Sequence, residues 1–90
     1  MKRVFQATEI FWKKFYALSA GQKDSVRKAW EKFKRDPFDP SLGTHKIRTL
    51  SAKAGFPVYS VVLEKDLRAL FYIEGEKVIT FEIGTHEVYR

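Results

Sequence analysis

Ninety residues, 44% of them hydrophobic, with no cysteine and a formal charge of +6, are expected to form a single domain, residues 1–90, because so short a chain cannot bury two separate cores. The lack of cysteine excludes a disulfide framework and any thiolate metal site, so the core must draw on large side chains, which eight Phe, four Tyr and two Trp supply. No apolar run resembles a signal peptide or approaches the ~18 residues of a membrane span, so neither secretion nor a membrane is expected and cytoplasm is the default.

In chain order, Val4-Phe5 reads as a short first strand. Thr8 is placed to cap a helix that carries Phe11, Phe15 and Leu18 at the spacing of a buried stripe. Ser19 with Gln22 has the form of a capping box, and Val26, Ala29, Trp30 and Phe33 then recur with helical period. The other faces of this second helix are basic, with Lys23, Arg27, Lys28, Lys32, Lys34 and Arg35 against Asp24 and Glu31. Asp36-Pro37 stops it, and Asp39-Pro40 extends a turn-rich link. His45 to Leu50 reads as a strand and Ser51 to Pro57 as a loop. Val58 to Leu63, Leu67 to Ile73 and Val78 to Ile83 follow as strands of a meander, separated by Glu64-Lys65-Asp66 and Glu74-Gly75-Glu76. The pattern predicts an α+β fold in which an N-terminal two-helix hairpin packs on one face of a small curved antiparallel sheet, the other face being partly open.

Tight hairpins between the last three strands would bring the Glu64-Lys65-Asp66 turn, the start of the Leu67 strand and the end of the Val78 strand to one end of the sheet. Arg68 would lie nearly opposite Ile83, with Gly84-Thr85-His86, Tyr89 and Arg90 just beyond. Antiparallel pairing of the His45 strand with the Val58 strand would add His45 and Lys46 to a neighbourhood of ~15 Å.

Such a collection suits cleavage of RNA. The 2′-hydroxyl must lose a proton, the 5′-oxygen must gain one, and the phosphorane between them carries added negative charge. A His can serve as acid or base, an Arg forks to phosphate oxygens, and Glu64 or Tyr89 can share proton transfer or stack on a base. Two His without cysteine or a carboxylate cluster at ligand spacing make a poor Zn or Mg site, so neither metal nor cofactor is expected. Arg68 has a structural alternative in an ion pair with Glu64 or Glu82, and the basic helix has one as a solvated surface.

The order Asp36-Pro37 and Asp39-Pro40, Leu42-Gly43-Thr44-His45-Lys46-Ile47, Val58-Tyr59-Ser60-Val61, Leu67-Arg68-Ala69-Leu70-Phe71-Tyr72-Ile73 and Ile83-Gly84-Thr85-His86-Glu87-Val88-Tyr89 resembles the RelE/ParE superfamily of bacterial toxins over nearly the whole chain. The resemblance implies production beside a cognate antitoxin and, in the RelE-type branch, cleavage of mRNA at the ribosome. It matches Arg68 to the family's strand arginine, His86 to the catalytic histidine of branches similar to YafQ and YoeB, and Tyr89 to the carboxyl-terminal aromatic. Glu64 is a further catalytic candidate, and His45, Lys46, Arg48, Lys28, Lys32 and Arg90 are the candidate RNA contacts. RelE places lysines in the strand where Ser60 and Val62 stand here, so the lysine version of the chemistry is missing. A ParE-like inhibitor of DNA gyrase and a non-catalytic binding protein remain as alternatives.

Overall fold

Two polar side chains start the helices. The Thr8 hydroxyl accepts the amide of Phe11 at 3.3 Å, and Ser19 and Gln22 satisfy one another's amides at 3.2 and 3.1 Å, as the capping pattern requires. In the computed structural model, which describes residues 3–85 and 88, these caps open α1 (Glu9–Tyr16) and α2 (Ala20–Arg35). A strand β1 (Val4–Ala7) precedes them. A 3₁₀ turn (Pro40–Leu42), β2 (His45–Lys46), α3 (Arg48–Ala54), β3 (Tyr59–Glu64), β4 (Leu67–Glu74) and β5 (Lys77–Gly84) follow. Asp39 caps the 3₁₀ turn, and hydrogen bonds from the Ser41 hydroxyl and amide hold its carboxyl below the usual range.

The sheet runs β1-β5-β4-β3-β2. The meander from β2 to β5 is antiparallel as expected. The first strand joins β5 in parallel, Val4 opposite Lys77 and Ala7 opposite Thr80, which makes the sheet mixed. Between β4 and β5 the pairs Phe71–Thr80 and Leu70–Glu82 skip Phe81. This one-residue bulge moves Arg68 from Ile83, where an unbroken hairpin would put it, to Gly84. The Phe81 carbonyl lies 3.4 Å from the Thr8 hydroxyl, so one side chain caps α1 and meets the bulge.

One part of the chain departs from its sequence pattern. The strand expected over His45 to Leu50 ends at Lys46, and α3 occupies most of the expected loop. Leu50, Ala52 and Ala54 favour a helix, Gly55 ends it in the left-handed region at φ 82°, and the Ser51 hydroxyl ties it to the sheet by donating to the Ile47 carbonyl at 2.7 Å and accepting the Val58 amide at 2.8 Å.

The main core lies between the helical hairpin and the sheet. Phe11, Phe15, Val26, Ala29 and Phe33 of the helices meet Val61, Leu63, Leu67, Ala69, Phe71, Val78 and Ile83 of the strands, with Leu42 closing one side. Phe33 and Phe71 are fully buried, and each such ring contributes ~1.5–3 kcal/mol by leaving water. The opposite face was expected to be partly open. Val58 and Leu70 are buried there as well, beside Leu50 and Ala54 of α3.

One buried group is poorly matched. Thr80 is fully buried in the row of Phe71, and its hydroxyl has no hydrogen-bond partner among the described residues. An unsatisfied buried hydroxyl costs about 1–3 kcal/mol. Thr80→Val is therefore expected to raise the urea midpoint at an unchanged m-value, by roughly 1 kcal/mol of stability or more; a lowered midpoint would show that the hydroxyl is satisfied.

Candidate functional site

The end of the sheet formed by the β3–β4 turn and the exit of β5 carries the arginine singled out from the sequence. A two-residue turn, Lys65-Asp66, joins the strands, with Lys65 at φ 36°. Arg68, second in β4, is partly buried. Its guanidinium donates to the Lys65 carbonyl at 2.5 Å, which draws it back over the turn. Neither carboxylate expected as an ion-pair partner holds it: Glu64 accepts the Ser25 hydroxyl of α2 at 2.6 Å, and Glu82 binds Lys14 of α1 at 2.6 Å. Among the described residues one carbonyl holds the fork, and a guanidinium has further donors suited to phosphate oxygens.

Across β4, Arg68 lies between Val62 of β3 and Gly84 of β5. Gly84 is needed for a close approach. A Cβ built there would stand 2.7 Å from Cγ1 of Val88, and the Val88 amide donates to the Thr85 carbonyl at 3.0 Å. The chain leaving β5 thus turns back, and Val88 joins Leu70, Phe81 and α3 around a cleft of about 330 Å³. His86, Tyr89 and Arg90 lie outside the described residues.

The remaining candidates are spread more widely than the sequence pattern suggested. His45 and Lys46 were expected beside the β3–β4 turn. They pair instead with Ser60 and Tyr59 at the opposite end of β3, because α3 cuts the strand short and its return loop fixes the register. His45 is exposed, with Nδ1 3.1 Å from the Gly43 carbonyl. From the pairing, its Cα stands ~12 Å from that of Arg68, on the same face. Lys28 and Lys32 are exposed on α2 and line, with Ser25, Ser41 and Val62, a groove of about 270 Å³ at the edge of β3. Lys46 and exposed Arg48 line another groove, of about 570 Å³, beside α3. Among the described residues no group of three or more His, Asp or Glu is placed to hold a metal ion, and no helix is long and apolar enough to cross a membrane.

The fold is shared with known structures. A chain of the archaeal RelE–RelB complex from Pyrococcus horikoshii superposes with a TM-score of 0.72 over 94% of this chain and 96% of that one, at 10% identity. The chain has the RelE-type fold. A copper-bound mutant toxin from Helicobacter pylori superposes with a TM-score of 0.62 over 98% of each chain, at 17% identity. No family model and no curated protein matches the sequence.

Within the RelE-type fold, the two positions at which the resemblance leads one to look for lysines differ in their surroundings. Ser60 is fully buried, and Val62 fills the place beside Arg68. The part of the site that the sequence reading missed is the seat of Val88 against Gly84. From the sequence Gly84 marks only the exit of the last strand, while its use here is to admit a neighbouring methyl group. Gly84→Ala is expected to push Val88 out and open the Thr85–Val88 hydrogen bond. Hydrogen exchange would show the Val88 amide losing protection while the β4–β5 ladder keeps its own; protection equal to the parent's would mean that Val88 can shift without release.

Proposed function

We propose that this protein is the toxin of a type II toxin–antitoxin pair and acts in the cytoplasm as a metal-independent, ribosome-dependent endoribonuclease on mRNA. The observation that carries this reading is the position of Arg68, at the sheet end from which the Gly84–Val88 turn departs. Agreement with the fold of a RelE–RelB complex supports it. An arginine there can neutralise the phosphorane while His86, in the Gly-Thr-His run that resembles the YafQ type, moves a proton. The 2′-oxygen loses its proton, attacks phosphorus and displaces the 5′-oxygen, which takes up a proton. The products are a 2′,3′-cyclic phosphate and a 5′-hydroxyl. Tyr89 and Glu64 are the remaining candidates at the reacting bond. Lys28, Lys32, His45, Lys46, Arg48 and Arg90 would hold RNA or ribosome phosphates.

A protein partner is favoured by a second surface. Trp12 and Tyr16 of α1 are 43% and 65% exposed and border a groove of about 310 Å³ between α1 and α2 with an apolar floor of Phe11, Phe15 and Val26. Exposed aromatic rings around an apolar groove suit an antitoxin segment. Ser60 and Val62 in place of lysines favour the second reading, a ParE-like inhibitor of DNA gyrase. Induction of the gene alone, with mapping of RNA ends and an assay of supercoiling, separates the two. Cut mRNA with normal supercoiling supports the nuclease, and intact mRNA with blocked supercoiling rejects it.

Arg68→Lys keeps the charge but loses the planar fork. It should retain the fold by circular dichroism and lose most of the ribosome-dependent cleavage; full growth inhibition by this variant would remove Arg68 from the mechanism. His86→Gln keeps hydrogen bonding but not titration, and it should slow cleavage by at least ~10²-fold while antitoxin binding persists. A parental rate would pass the proton-transfer role to Tyr89 or His45.

A further inference from the structure

We infer that the corner of the molecule around α3 is a stacking platform for unpaired bases of single-stranded RNA, with Phe56 as the stacking face and Lys46 and Arg48 as phosphate contacts. The inference rests on the RNA reading above and adds a binding surface to it. Three rings form a ladder on the face of the sheet away from α1 and α2. Phe56 lies 4.9 Å from Tyr72 of β4, and Tyr72 lies 5.7 Å from Phe81 of β5, centroid to centroid. Tyr72 and Phe81 are partly buried and brace the outermost ring. Phe56 itself is 45% exposed, held out by the left-handed Gly55 before it and by Pro57 after it.

Charge identifies the occupant. From residue 40 to residue 63 the chain contains no Asp or Glu, while Lys46, Arg48 and Lys53 fall within it. Lys46 and Arg48 share one open groove with Phe56, and Lys53 lies on the other side of α3, in the cleft that contains Phe81 and Glu82, whose carboxylate is paired with Lys14. A ring set among cations matches the alternation of base and phosphate in a single strand. The core of a protein interface, by contrast, is depleted in lysine and built from broader apolar surface. Tyr72 and Arg68 are four residues apart on the same face of β4, a separation of ~13 Å. A strand stacked at Phe56 can therefore reach the arginine within a few nucleotides.

The test uses a fluorescein-labelled 2′-O-methyl oligouridylate, which lacks the nucleophilic hydroxyl and cannot be cut, with binding read by anisotropy. Phe56→Leu, which keeps apolar packing against Tyr72, is expected to lower affinity about tenfold, and Phe56→Trp to keep it and show fluorescence quenching by the ligand. Lys46→Gln and Arg48→Gln should each flatten the dependence of log affinity on log salt by about 0.7. Parental affinity in Phe56→Leu, or an unquenched Phe56→Trp, would overturn the platform. Displacement of the oligonucleotide by polyglutamate with no effect of Phe56→Leu would overturn it too and assign the surface to an acidic polypeptide. Binding that depends on Phe56 in a protein that leaves ribosome-bound mRNA intact would leave the platform standing and reject the nuclease.

Discussion

Phe33 and Phe71 meet edge to face with their centroids 4.9 Å apart, and both are fully buried. This contact fastens α2 to the central strand of the sheet, and rings continue from it in both directions. Phe5 of β1 lies 5.5 Å from Phe33, while Tyr59 of β3 lies 5.4 Å from Phe71 and Phe38 packs beyond it. A row of aromatic side chains thus links three of the five strands from beneath one helix. Edge-to-face pairs add ~0.5–1.5 kcal/mol each beyond the area they bury, which matters in a domain whose net stability is of the order of 10 kcal/mol. With the sheet anchored from one side, its other face is free to carry α3, Arg68 and the exposed ring of Phe56.

Most of this architecture was legible in the sequence because the signals were local and redundant. Thr8, Ser19 and Gln22 announce helix starts by chemistry that acts within three residues, and Phe11, Phe15, Val26, Ala29 and Phe33 repeat at the helical period. The three strands of the meander are rich in β-branched and aromatic residues and separated by short polar turns. What escaped notice depended on competition between weak signals. The β-branched Ile47 and Thr49 let His45 to Leu50 pass for a strand, while Leu50, Ala52 and Ala54 before Gly55 favour a helix; the Ser51 hydroxyl, bonded to Ile47 and Val58, ties that helix to the sheet. The parallel pairing of β1 with the last strand is a contact between distant segments, and no local pattern encodes it.

The site was legible in part for the same reason. Arg68 is conspicuous as the one cation in an apolar strand, and hairpin geometry places it at the end of the sheet without further information. Glu64 shares that turn, but its engagement by Ser25 depends on where α2 lies over the sheet, which sequence spacing does not specify. The placement of His45 and Lys46 failed because it rested on the length of a strand that α3 shortens. The seat of Val88 against Gly84 left only one trace in the sequence, a glycine without a left-handed turn to justify it.

The bulge at Phe81 acts on β5 like a change of reading frame. Before it the inward positions are Val78 and Thr80, and after it the inward position is Ile83, so the alternation of faces is reset by one residue. A ladder without the bulge would put Phe81 opposite Leu70 and bring the carboxylate of Glu82 into the row of Ala69, beneath the helices, where an unpaired charge is not tolerated. It would also slide the exit of the strand past Arg68. The surroundings of Arg68 are therefore set by counting as much as by chemistry: the extra residue at Phe81 is what seats a glycine, rather than an isoleucine, beside it.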